Sequence, residues 1–244
     1  MLRFDNVTHQ FGNGKVALQD VTFQIAPSDF LFLVGPSGAG KTTILRLLLR
    51  EFSPTKGKIF LKDKELSDIK KSKIPNLRRR IGAAFQDFKL LEDRTVFENI
   101  SLGLHIWGKR EKEIKEAVGR ILDLVSLERE ADLFPAQLSG GEVQRAVIAR
   151  ALISGPEILF ADEPTGNLDP ETAWQIVSLL KEINKNGTTV MVATHNADIV
   201  NSLKDRVIRL EKGRMVSDSK AGKYRKTATS SQSPATSKKR KKKK

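Results

Sequence analysis

Phe30-Leu31-Phe32-Leu33-Val34-Gly35-Pro36-Ser37-Gly38-Ala39-Gly40-Lys41-Thr42-Thr43 decides how this chain is read. Its first five residues are continuously apolar, as expected of a strand buried on both faces of a sheet. The next eight, Gly35 to Thr42, fit the phosphate-binding loop pattern G-x-x-x-x-G-K-[ST]. Small residues let successive backbone N–H groups close around phosphate oxygens, and the helix that follows presents its positive dipole end to them. Apolar residues at helical spacing from Thr42 to Arg50 supply that helix. Lys41 is then placed to reach the β- and γ-phosphates of a nucleotide, and the Thr42 hydroxyl to hold Mg²⁺. Gly35, Pro36, Ser37, Gly38, Ala39, Gly40, Lys41, Thr42 and Thr43 are the candidate nucleotide contacts.

Outward from this loop, Leu2 to Val7 and Val21 to Ile25 alternate apolar and polar residues, the period of a half-buried strand. Ile81 to Phe85, Ile158 to Ala161 and Thr188 to Ala193 read as further short buried strands. Helical patterns lie between them. The clearest is Glu113 to Val125, with Ile114, Ala117, Val118, Ile121, Leu122 and Val125 on one face. Strands alternating with helices predict an α/β fold with a largely parallel sheet. From about residue 87 to 153 helix follows helix, which predicts a helical subdomain inserted into the core.

Ile158-Leu159-Phe160-Ala161-Asp162-Glu163 is a buried strand ending in two carboxylates. Ligands of open α/β sheets sit beyond the carboxyl ends of the strands. Asp162 is the candidate Mg²⁺ residue there. Glu163 is the candidate general base, orienting and polarising the water that attacks the γ-phosphoryl group.

Composition narrows the class. Of 244 residues, 39% are hydrophobic and 17 are glycine, so the chain has the apolar content of a globular protein. It has no cysteine, which excludes disulfides, thiolate metal sites and cysteine nucleophiles. Its longest apolar runs are far short of the roughly 20 residues that span a bilayer. Met1 to Asp5 lacks the layout of a signal peptide, so an intracellular, soluble protein is expected. Residues 219–244 hold eleven bases and no acid, and without them the net charge falls from +14 to +3. The body is thus only mildly basic, and a nucleic-acid argument from overall charge fails. The Ser, Thr, Ala and Lys composition after Ser217 predicts a disordered polybasic tail over 219–244.

Between the loop and the acidic strand stands Leu138-Ser139-Gly140-Gly141-Glu142, followed by Gln144-Arg145 and an apolar helix to Ile153. Alone, this could be a helix N-terminus with a serine cap and a nearby acid. Together with the motifs above it closely resembles the ATP-binding-cassette family, whose signature is LSGGQ or LSGGE. The resemblance covers about Met1 to Ser217, so residues 1–218 are expected to form the ATPase domain. It implies a P-loop NTPase fold: a RecA-like core, an antiparallel β subdomain and an inserted helical subdomain. It also implies that Gln86 is the Q-loop glutamine and a Mg²⁺ contact, Asp169 the D-loop aspartate, and His195 a catalytic switch histidine at the γ-phosphate. Phe11 stands where the family usually stacks an aromatic on adenine, and it could equally be a core residue. Family members work as head-to-tail homodimers with ATP and Mg²⁺ sandwiched between subunits. That geometry implies nucleotide contacts from Ser139, Gly140, Gly141, Glu142 and Asp169 of the opposite copy.

The D-loop reads Gly166-Asn167-Leu168-Asp169 rather than the commoner Ser-Ala-Leu-Asp. A branch of the family with cell-division, lipoprotein-releasing and macrolide-efflux ATPases shares that departure. Leu77 to Leu91, Asp93 to Asn99 and the alanine of Ser37-Gly38-Ala39-Gly40 look most like its cell-division members. The resemblance then implies a peripheral ATPase at the cytoplasmic face of a bacterial plasma membrane. Its partner would be a four-span integral membrane protein with an extracytoplasmic part, which relays ATP-driven closure to cell-wall hydrolases. The alternative is the ATPase of a lipoprotein-release or efflux transporter. A soluble relative acting on RNA is disfavoured, because such chains usually carry two cassettes. Phe88, Leu90, Leu91 and Val96 are candidates either for the groove that takes the partner's short helix or for subdomain core. The resemblance does not extend to the tail, whose basic run Lys238 to Lys244 suits anionic lipid better than nucleic acid, and which could equally be a solvated tail with no partner.

Overall fold

The apolar run Phe30–Val34 forms strand β3, buried at all five residues, in a computed structural model of the chain. The structure describes residues 1–224. β3 pairs in parallel with β8 (Thr189–Thr194) on one side and β9 (Arg206–Glu211) on the other. Beyond β8 come β7 (Ile158–Asp162) and then β6 (Ile81–Ala84), both parallel. β10 (Arg214–Ser219) pairs antiparallel with β9, giving the order β10-β9-β3-β8-β7-β6.

Alternation along β3 sends side chains into two separate cores. Leu31 and Leu33 join Ile44, Leu45 and Leu48 of helix α1 (Lys41–Leu48). Phe32 and Val34 join Ile100, Val118 and Ile148 on the other face. Covering both faces is why no position of this strand is polar. The first core is closed by a four-stranded antiparallel sheet of order β2-β1-β4-β5. Its strands are β1 (Leu2–Gln10), β2 (Val16–Ile25), β4 (Lys56–Leu61) and β5 (Lys64–Glu65). Phe4 and Phe23 stack across it with ring centres 4.5 Å apart.

The second face is covered by helices. Short α2 (Ile74–Arg79) leads into β6. The stretch from β6 to β7 carries α3 (Val96–Ile106), α4 (Glu111–Val125) and α5 (Gly140–Leu152), with no strand among the described residues. α4 buries Ile114, Val118, Leu122 and Val125, one stripe at helical spacing. α6 (Pro170–Lys185) and α7 (Ala197–Leu203) complete the chain's helices within the described part.

One expectation needs correction. The order of the chain does not stop at residue 218. Ser219 ends β10, the Gly222 N–H donates to the Asp205 carbonyl at 3.1 Å, and Tyr224 is buried. These residues escape a composition argument because backbone pairing and one aromatic hold them, not an apolar pattern. The remainder of the expected tail, with Lys238 to Lys244, lies outside the described residues. Of the two alternatives left open for Phe88, Leu90, Leu91 and Val96, subdomain core holds for three: Leu90 and Val96 are buried in it and Phe88 packs against it, while Leu91 is exposed.

Candidate functional site

The end of β3 runs into the glycine-rich loop, which curls against α1. Gly40 occupies the N-cap of α1 at φ 107°, a left-handed conformation open chiefly to glycine. A Cβ there would also lie 2.5 Å from Leu18 Cδ2 and 2.8 Å from the Ala17 carbonyl. The loop and the start of α1 form one wall of a cleft of ≈ 460 Å³. Lys41 is buried, and its Nζ donates to the Gly35 carbonyl at 2.8 Å.

Parallel pairing of β3, β8 and β7 carries the acidic and histidine segments to the same end of the sheet. Asp162, 3% exposed, accepts a hydrogen bond from the Thr42 hydroxyl at 2.7 Å. Burial pushes its carboxyl above the ordinary range, the Thr42 hydrogen bond opposes that rise, and the neighbouring Glu163 charge adds to it. Glu163 turns out of the strand at φ 50°, with its N–H donating to the Ala193 carbonyl at 2.8 Å. Such a backbone costs on the order of 1–3 kcal/mol and recurs at functional sites. Its carboxylate is held from three directions. Oε1 lies 2.9 Å from His195 Nδ1 and 3.4 Å from Lys41 Nζ, and Oε2 accepts from the His195 N–H at 3.3 Å.

The cleft is lined by Phe11, Pro36 to Thr43, Gln86, Asp162, Glu163 and His195. Phe11 stands at its mouth, packed edge-on against Phe52 with ring centres 5.6 Å apart. Gly35 enters through the carbonyl that Lys41 bonds. Four lining residues were not singled out in the sequence: Lys15 just before β2, Val16 and Ala17 at its start, and Tyr224. Val16 is exposed in a strand start that lacks any phosphate motif, and Tyr224 lies in a stretch with no apolar period.

Ser139, Gly140, Gly141, Glu142 and Asp169 do not line the cleft of their own chain. Ser139 caps α5, its N–H donating to Glu142 Oε2 at 2.7 Å while the Glu142 N–H donates back to its hydroxyl. That backbone hydrogen bond holds the Glu142 carboxyl below the usual carboxylate range. Asp169 caps α6, accepting from the Thr172 N–H at 3.0 Å, and hydrogen bonding from Thr172, its side chain first and its backbone second, holds the Asp169 carboxyl below the usual range. The two caps adjoin: a Cβ on Gly140 would stand 3.4 Å from Leu168 Cδ2. They form a second, separate surface.

Thr42 and Asp162 offer hard oxygen donors, which suit Mg²⁺. No group of three or more His, Cys, Asp or Glu among the described residues could hold a metal by itself. That fits an ion bound through a single carboxylate and neutral oxygens together with substrate phosphates.

A strand, phosphate loop and helix facing a carboxylate pair define a P-loop nucleotide hydrolase. Residues 18–166 match the ABC transporter family model, and the chain belongs to that family of ATP-binding-cassette ATPases. It is 49% identical to the cell division ATP-binding protein FtsE of Bacillus subtilis (strain 168), over 92% of this chain and 98% of that protein. It is 46% identical to the FtsE of Streptococcus pneumoniae serotype 2, over 92% of this chain and 97% of that one. Among solved structures, it is similar to a dimeric post-hydrolysis ATP-binding cassette bound to ADP and Pi. The TM-score there is 0.82 at 34% identity, covering 92% of this chain and all of that chain. No helix of the described residues is long and apolar enough to cross a membrane.

Proposed function

We propose that this chain is the ATPase of an FtsE–FtsX-type complex of bacterial cell division, working at the cytoplasmic face of the plasma membrane. The observation that carries the chemistry is the Glu163 carboxylate, fixed by the His195 ring and backbone and by Lys41 at the mouth of a phosphate loop. The identity of 43–49% to proteins named FtsE supports the division reading over lipoprotein release or efflux.

In this reading the loop N–H groups and Lys41 bind the β- and γ-phosphates of ATP, Lys41 leaving the Gly35 carbonyl for them. Thr42, Asp162 and Gln86 hold Mg²⁺, which when bound neutralises charge on the phosphate oxygens. Glu163 accepts the proton of the water that attacks phosphorus, and His195 orients Glu163 and meets the γ-phosphate. Phe11 offers its ring face to adenine. The cap surface of Ser139, Gly140, Gly141, Glu142 and Asp169 closes the cleft of a second copy, so that two ATP molecules seal a head-to-tail dimer. Ser139 meets the γ-phosphate with its hydroxyl and Gly141 with its N–H.

Closure is passed to an FtsX-like integral membrane protein. A groove of ≈ 470 Å³ between α2, β6 and α3 suits its short cytoplasmic helix. Leu102 and Ile106 are exposed in it, and the Arg79 guanidinium lies 4.5 Å from the Trp107 ring centre. The basic segment beyond Tyr224 adds attraction to anionic lipid, at about 1 kcal/mol per base near the surface. Purifying Glu163→Gln from native membranes with ATP, followed by mass spectrometry, tests the assignment. A four-span protein with a large extracytoplasmic part is expected to come with it. Recovery of a transporter permease instead would contradict the division reading.

A further inference from the structure

The last described residues turn back to the nucleotide cleft. One side chain clasps Tyr224 at two points: Asn201 Oδ1 accepts the Tyr224 N–H at 2.7 Å, and Asn201 Nδ2 donates to the Tyr224 carbonyl at 3.0 Å. The strap that leads there lies tight on β9, for a Cβ on Gly222 would fall 2.6 Å from Val207 Cβ. Tyr224 is 4% exposed and belongs to the core that holds Ile199 and Val200 of α7. It also forms part of the cleft wall with Lys41, Glu163 and His195.

α7 connects these facts. This seven-residue helix starts two residues after His195, is capped by Asn196, and carries Asn201 in its body. Only Ile199 and Val200 of it are buried, and a helix so short is marginal without tertiary support. The His195 side chain is 54% exposed, so burial does not fix its orientation. Its direction depends on Glu163 and on where α7 is held.

We propose that Tyr224 is a positioning residue of the ATPase site: clasped by Asn201, it fixes α7 and so sets His195 against Glu163. The inference rests on the ATPase reading above. A shift of about 1 Å in a catalytic group can cost as much as 100-fold in rate, so loss of the clasp (Asn201→Ala) or of the ring packed in the core of α7 (Tyr224→Ala) acts on turnover more than on binding.

Turnover and MgATP affinity of the full chain test this, with Tyr224→Ala, Asn201→Ala, their double variant and Tyr224→Phe. Each alanine variant is expected to lower kcat about tenfold while the Kd for MgATP stays within about twofold. The double variant should be no slower than the slower single one, since both act through one element. Tyr224→Phe, which keeps ring and clasp, should recover most of the loss. If Tyr224→Ala does not fold, Asn201→Ala and Gly222→Val carry the same expectation. Wild-type kcat in the alanine variants, or losses that multiply in the double, would overturn the proposal. A wild-type chain that binds no MgATP would instead overturn the ATPase reading on which it stands.

Discussion

Asp162 brings a carboxyl to the end of a strand where it is nearly out of contact with water, and its proton affinity rises as a result. In the unfolded chain an aspartate titrates near about 3.9. The native state therefore holds the proton more tightly, and as pH rises through the window above about 3.9 the side chain turns against folding. That penalty grows until the native carboxyl has lost its proton, and it acts only without nucleotide or Mg²⁺ at the site. Asp162→Asn keeps the shape and the acceptor for Thr42 but removes the charge. It should stabilise the chain at pH 7 by about 1 kcal/mol, or about 2–4 °C in Tm, while ATP hydrolysis is lost. Thermal unfolding from pH 4 to 8 checks this. A variant less stable than wild type at pH 7 would mean that Thr42 and Lys41 already offset the buried charge.

Among the elements, β3 contributes both packing and position. Phe32 is fully buried, and Phe32→Ala should cost about 3–5 kcal/mol in denaturant unfolding. A loss below about 1 kcal/mol would show that the second core relaxes around the gap. Such strands were legible in sequence because burial on both faces leaves an unbroken apolar run. The helix α4 was legible for its 3.6-residue stripe. β4 was not, since it opens with exposed Lys56, Gly57 and Lys58, and β5 is only two residues long. β9 and β10 escaped too, their arginines, acids and serines obscuring the period. Within the site, the loop and the Asp162-Glu163 pair are contiguous motifs and could be read directly. The approach of His195 to Glu163 spans 32 residues and depends on β7 and β8 pairing in parallel. Resemblance pointed to His195 at the γ-phosphate but not to its contact with Glu163. Tyr224 had neither motif nor period, and its place comes from the Asn201 clasp.

For the whole molecule, the decisive feature is that the phosphate loop and the signature segment lie on different surfaces. Ser139 and Asp169 each cap a helix, which fixes the signature and the D-loop side by side and outside the chain's own cleft. In our reading the chain carries one half of each of two composite sites, and hydrolysis needs a second copy. Sedimentation velocity of Glu163→Gln with and without MgATP tests this most directly, because with Glu163 as the proposed base its loss leaves bound ATP intact. A monomer without nucleotide, and a dimer holding one ATP per chain with it, are the expected states. A chain that binds ATP and remains monomeric at saturating nucleotide would contradict this reading.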